Sequence, residues 1–238
     1  MKKAVGFDQK ITVSQLDTVV SLYQSDMKKE EFYKILNQAL LEEIKGEKSR
    51  KNVITILMKI WVLVEPDHRW LRDAALKLYL DATKEERLAL HWGMVLLAYP
   101  FFRECTENIG RQFRLNGNAT SQKILARIKS IYGDRRRVEV SLSAVLSTLR
   151  SFQVIDEEKK TVLCAHEPVF IMNEAIGTWL GAVSLYSQDK AAIPLNARND
   201  SSIFPFDYQP SAVKYRELGL PLVTQGLDSV YVCRKETT

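Results

Sequence analysis

Through the first hundred residues, apolar positions recur every three or four residues and are broken by short polar stops, the rhythm of successive amphipathic helices. The stretch after Ser25 and Asp26 shows it, with Phe32, Ile35, Leu36, Ala39, Leu40 and Ile44 on one stripe before Lys45-Gly46 ends the run. Equivalent helices are predicted over 12–23, 52–64, 67–80 and 83–98, the last opened by a capping box of Thr83 and Glu86. Pro100 forces a new start, because a proline inside a helix removes a hydrogen bond and clashes with the preceding turn.

Beyond Phe101 the pattern changes. One helix runs to about Leu115 and stops at Asn116-Gly117-Asn118. A second follows Thr120, with Ile124, Leu125, Ile128 and Ile131 inward, and stops at Tyr132-Gly133. A third, capped by Asp134, carries Val138, Leu142, Val145, Leu149 and Phe152 on its core stripe. Val154-Ile155 and Thr161 to Cys164 then flank a polar tip, which predicts a hairpin. Three helices followed by a β-hairpin is the layout of a winged helix-turn-helix. A helix over 169–186 and two β-like runs, 220–223 and 230–233, complete the chain. The sequence therefore predicts a mainly α protein in three parts: an N-terminal helical bundle (1–99), a winged helix-turn-helix module (100–166) and a small C-terminal α/β extension (167–238). Phe204, Phe206 and Tyr208 in the last part are expected to seal one side of the monomer or to form a subunit interface.

Composition fits an ordinary packed protein, 46% hydrophobic and 26% charged, with too few glycines and prolines for a long flexible linker. Cys105, Cys164 and Cys233 lack the paired spacing of a zinc site or disulfide framework, which suits a reducing cytoplasm. The apolar stretches 53–64 and 92–102 are each shorter than the roughly 20 residues that span a bilayer. No membrane partner, metal or cofactor is expected.

Charge becomes informative only in its distribution. The net charge is +5, yet residues 111–150 hold nine basic side chains against Asp134 and Glu139, so the rest of the chain is slightly acidic. In a helix-turn-helix the third helix enters the major groove with its first residues nearest the bases, and Arg135, Arg136 and Arg137 stand there. The face opposite its core stripe carries Arg136, Val140, Ser143, Ser147 and Ser151, with Arg137 and Ala144 on one flank and Arg150 on the other. Small side chains let a helix approach the groove floor, and serines meet phosphates or bases. Lys123, Arg127 and Lys129 on the preceding helix, Arg111 and Arg114 before it, and Lys159 and Lys160 at the hairpin tip are expected to supply phosphate contacts. A helix dipole disfavours arginines in a first turn, so three of them there point to an anionic partner. The same face could instead dock a protein, and an operon regulator is a third possibility. Enzymatic chemistry is not expected, since His68, His91 and His166 are scattered and no phosphate-cradling glycine loop occurs.

The basic connection Gly46-Glu47-Lys48-Ser49-Arg50-Lys51, the helix end Ala98-Tyr99-Pro100-Phe101-Phe102-Arg103 and the following winged helix resemble the small BREX A accessory proteins of bacterial phage-exclusion operons. Tyr132-Gly133-Asp134-Arg135 leading to 146–155 is similar to winged-helix proteins of defence islands. The likeness covers residues 12–160. It implies a non-enzymatic accessory subunit that binds double-stranded DNA beside larger defence-system proteins, ATPase or methyltransferase subunits.

Overall fold

A computed structural model describes residues 4–159, 161–195, 203–225 and 229–235, with the Lys159 side chain excepted. The protein is mainly helical, with ten α-helices and small sheets among the described residues. Helices α1 (Val13–Leu22), α2 (Lys29–Ala39), α3 (Glu47–Trp61), α4 (Arg69–Tyr79) and α5 (Lys84–Ala98) make up the first part. The Thr83–Glu86 capping box opens α5 as expected, while α2 stops at Ala39 rather than at Ile44 and follows Lys28 without a side-chain cap.

The middle part runs α6 (Pro100–Asn116), β1 (Asn118–Thr120), α7 (Ser121–Tyr132), α8 (Arg136–Ser151), β2 (Ile155–Lys159) and β3 (Val162–Ala165). Gly117, at φ +71°, ends α6 in the left-handed conformation that favours glycine and turns the chain directly into β1. That strand, which the sequence pattern does not reveal, pairs antiparallel with β3 (Asn118 opposite Cys164, Thr120 opposite Val162), giving a sheet ordered β1-β3-β2. Thr120 caps α7, and the stripe Val138, Leu142, Val145, Leu149 and Phe152 on and after α8 is buried as predicted.

The last part contains β4 (Val169–Ile171), α9 (Glu174–Ser187), β5 (Ala192–Pro194), β6 (Phe206–Tyr208), α10 (Ala212–Glu217), β7 (Leu222–Gln225) and β8 (Ser229–Cys233). The helix expected from residue 169 begins later, because Asn173 accepts hydrogen bonds from Ala175 and Ile176 N–H and leaves 169–171 extended, paired in parallel with β6. Strands β5, β8 and β7 form a second antiparallel sheet.

This part does not stand aside from the others. Every residue of α9 from Ile176 to Ser187 is buried, which marks a helix enclosed on all sides; it packs on α4 and α5. Trp179 is fully buried and its Nε1–H donates to the Leu71 carbonyl at 2.9 Å. Trp92 on α5 meets Phe102 of α6 (5.4 Å between ring centroids), Phe152 after α8 (6.4 Å) and Phe206 of β6 (5.6 Å), so one indole touches all three parts of the chain. A single apolar core extends from Val5 to Val232, across both boundaries drawn from the sequence.

Two glycines permit the close crossings of α9. A Cβ at Gly93 would overlap the Trp179 ring, and one at Gly181 would overlap the Tyr215 hydroxyl; both aromatic partners are fully buried and have nowhere to move. Alanine in a helix interior gains about 1 kcal/mol over glycine, while overpacking a tight core costs about 1–3 kcal/mol or more. Gly93→Ala and Gly181→Ala are therefore expected to lower the thermal midpoint by several degrees (about 2–4 °C per kcal/mol lost at this size). Unchanged midpoints for both helix variants would contradict the crossings.

Candidate nucleic-acid interface

The outer face of α8 is where most of the sequence-predicted residues converge. Arg136, Arg137, Val140 and Ser143 are exposed and Ser147 is half-buried. The face is not open across its full width. Ser151 turns inward, its hydroxyl donating to the Ile11 carbonyl (2.8 Å), and Ile11 N–H donates to Thr148 Oγ1 (3.2 Å). The segment before α1 thus lies along one flank of α8. Between them runs a groove of about 440 Å³, with Asp8, Gln9 and Lys10 on one wall and Arg136, Glu139, Val140, Ser143 and Ser147 on the other.

The basic residues divide into two groups once their neighbours are known. Arg111 pairs with Glu107 (2.8 Å), Arg150 with Glu157 (2.7 Å) and Arg137 with Asp8 (3.6 Å). Lys129 lies between Asp134 (2.8 Å) and Glu139 (2.5 Å), and hydrogen bonds to Asp134 and then Glu139 hold its ammonium above the usual lysine range. Asp134, expected to cap the third helix, is committed to that pair; Arg135 occupies the N-cap position without capping through its side chain, and its guanidinium donates to the Tyr132 carbonyl (2.9 Å). Among the described residues, Lys10, Lys123, Arg127 and Arg136 are exposed and form no ion pair. Arg114 is exposed near the end of α6. Lys160 and the Lys159 side chain lie outside the described residues.

Asp8, Gln9 and Lys10 are the members of this surface that the sequence pattern missed. They precede the first helix by only a few residues and belong to no periodic stripe, so no local signal places them against a helix some 130 positions away.

The three histidines sit in separate surroundings. His166 pairs with Asp156 on the hairpin (2.7 Å). His91 is fully buried, and its Nε2–H donates to Asp17 Oδ1 at 2.9 Å, since an ionised carboxylate only accepts. Tyr79 donates to the same oxygen, and Arg87 stacks over the Tyr79 ring at 4.7 Å. Burial depresses the His91 pKa despite the nearby carboxylate; burial alone would raise Asp17, but hydrogen bonds from His91 and Tyr79 outweigh it and hold Asp17 below the usual carboxylate range. Among the described residues no three His, Cys, Asp or Glu side chains are grouped to hold a metal ion, and no helix is long and apolar enough to cross a membrane. No protein-family model, curated protein or solved structure matches the chain.

The buried histidine has a measurable consequence. Its folded pKa lies below the ordinary histidine value of about 6.5, so as pH falls through that value the unfolded chain takes up the proton first and stability declines. Burial depresses His68 as well, with the same sign. Urea unfolding followed from pH 8 to pH 5 is expected to show stability falling below about pH 6.5, with a shallower fall in His91→Gln. A parent whose stability is flat or rises on acidification would contradict the buried neutral imidazole.

Proposed function

We propose that residues 100–166 form a winged helix-turn-helix through which the protein binds double-stranded DNA as a non-enzymatic accessory subunit of a phage-defence system, in keeping with the resemblance to BREX A proteins. The observation that carries this reading is the order helix, strand, helix, helix, hairpin, with β1 joined to the hairpin sheet, an order that leaves the Arg136–Val140–Ser143–Ser147 face of α8 outward. A third helix of that arrangement is the one that meets the DNA groove. Lys123 and Arg127 on α7 flank it as unpaired cations suited to phosphate oxygens.

One observation favours the competing reading, in which the same face docks a protein: Asp8 and Glu139 stand in the groove beside Arg136. Ion pairing lends support to the DNA reading. Asp8 faces Arg137 and Glu139 shares Lys129 with Asp134, while Arg136 forms no ion pair among the described residues.

The pairing pattern ranks the cations. In fluorescence anisotropy with a duplex of about 25 base pairs, log affinity is expected to fall linearly with log salt, with a slope of about −0.9 per phosphate neutralised. Arg136→Ala, Arg127→Ala and Lys123→Ala should each weaken binding and reduce the slope by about one contact. Arg111→Ala and Arg150→Ala, which remove cations already neutralised by Glu107 and Glu157, should do so less. Absence of salt-dependent duplex binding by the parent would overturn the DNA reading and leave protein docking in its place.

A further inference from the structure

The segment beside α8 is a fixed wall. Phe7 is fully buried, packed edge-on against Tyr99 (5.2 Å) and tilted against Phe102 (5.3 Å). Ile11 is fully buried too, and both its N–H and its carbonyl are bonded to the last turns of α8. Asp8, Gln9 and Lys10 bridge these two anchors. Asp8 pairs with Arg137 near the start of α8, and Ile11 bonds to Thr148 and Ser151 near its end, so side chains from both ends of the helix reach this short segment.

Its width matters for how the helix meets DNA. A helix with side chains is about 10–12 Å across, and a chain segment lying alongside widens that further. The pair exceeds the roughly 12 Å width of the B-form major groove. Displacing the bridge would expose Phe7 and Ile11 and break both hydrogen bonds to α8.

Resting on the DNA reading above, we infer that α8 and the Asp8–Lys10 bridge engage a duplex together, with Lys10 and Arg136 gripping phosphates at the groove rim rather than α8 inserting to read bases. The charge arrangement suits this. Asp8 pairs with Arg137 and Glu139 shares Lys129 with Asp134, whereas Lys10 and Arg136 in the groove form no ion pair among the described residues. Phosphate contacts fix position without carrying base information, so the surface binds duplex DNA with little sequence preference.

The test uses the full chain, its Lys10→Ala and Arg136→Ala variants, and several unrelated duplexes of about 25 base pairs. Lys10 is exposed, so its variant keeps the fold, which circular dichroism checks. Lys10→Ala is expected to bind more weakly than the parent, and the parent's advantage should shrink about threefold between about 50 and about 200 mM salt, the change that one lost phosphate contact dictates. Parent affinities for the different duplexes should agree within about tenfold, well short of the ratio of about a thousand or more that marks specific recognition. If Arg136→Ala weakens binding while Lys10→Ala matches the parent in affinity and slope, the bridge is not part of the interface. If one duplex is preferred by about a thousandfold, α8 reads bases and the rim grip is wrong. If the parent binds no duplex at all, the DNA reading itself fails.

Discussion

Trp92 holds the arrangement on which every proposed interaction depends. Its fully buried indole contacts Phe102, Phe152 and Phe206, and Phe102 in turn packs on Phe7. Aromatic rings at such separations add edge and offset contacts to the large apolar area they bury. This chain of rings fixes the end of α8, the start of α6, strand β6 and the first segment of the protein relative to one another. The outer face of α8 therefore belongs to a rigid surface made from distant parts of the sequence.

That rigidity changes what the basic residues mean. Counted along the chain, residues 111–150 carry a strong positive excess. In the fold, acids from outside that window come back to meet it: Asp8 to Arg137, Glu107 to Arg111 and Glu157 to Arg150. These pairs are largely exposed, and each contributes little to stability. Their effect on binding is larger, because a cation facing a carboxylate has less to gain from a phosphate. Among the described residues of this surface, Lys10 and Arg136 in the groove and Lys123 and Arg127 on the adjoining helix are exposed and form no ion pair.

Helices with a broad apolar stripe and a side-chain cap were legible in the sequence. Thr83 with Glu86 marks the start of α5, Thr120 that of α7, and Val138 to Phe152 defines the buried side of α8. Short strands were not. Three-residue β1 is too brief for an alternating pattern, and in β4 the apolar run Val169 to Met172 reads on into α9 until Asn173 breaks it. The placement of α9 inside the bundle was hidden for another reason: its apolar surround states that it is buried but not by what. The same limit applies to the candidate interface. The exposed positions Arg136, Val140 and Ser143 follow from helical period, whereas the wall of Asp8 to Lys10 depends on tertiary contacts of Phe7 and Ile11 that no local pattern encodes.

The central claim, that α8 and the first segment present one surface to a duplex, is tested most directly by hydrogen–deuterium exchange of the full chain with and without a duplex of random sequence. The account predicts slower exchange on DNA addition in residues 8–11, in the exposed length of α8 from Arg136 to Ser147, and around Lys123 to Arg127 of α7. Protection confined to other faces, such as the exposed Phe170 and Met172 of the β4 region, with α8 unchanged, would contradict it.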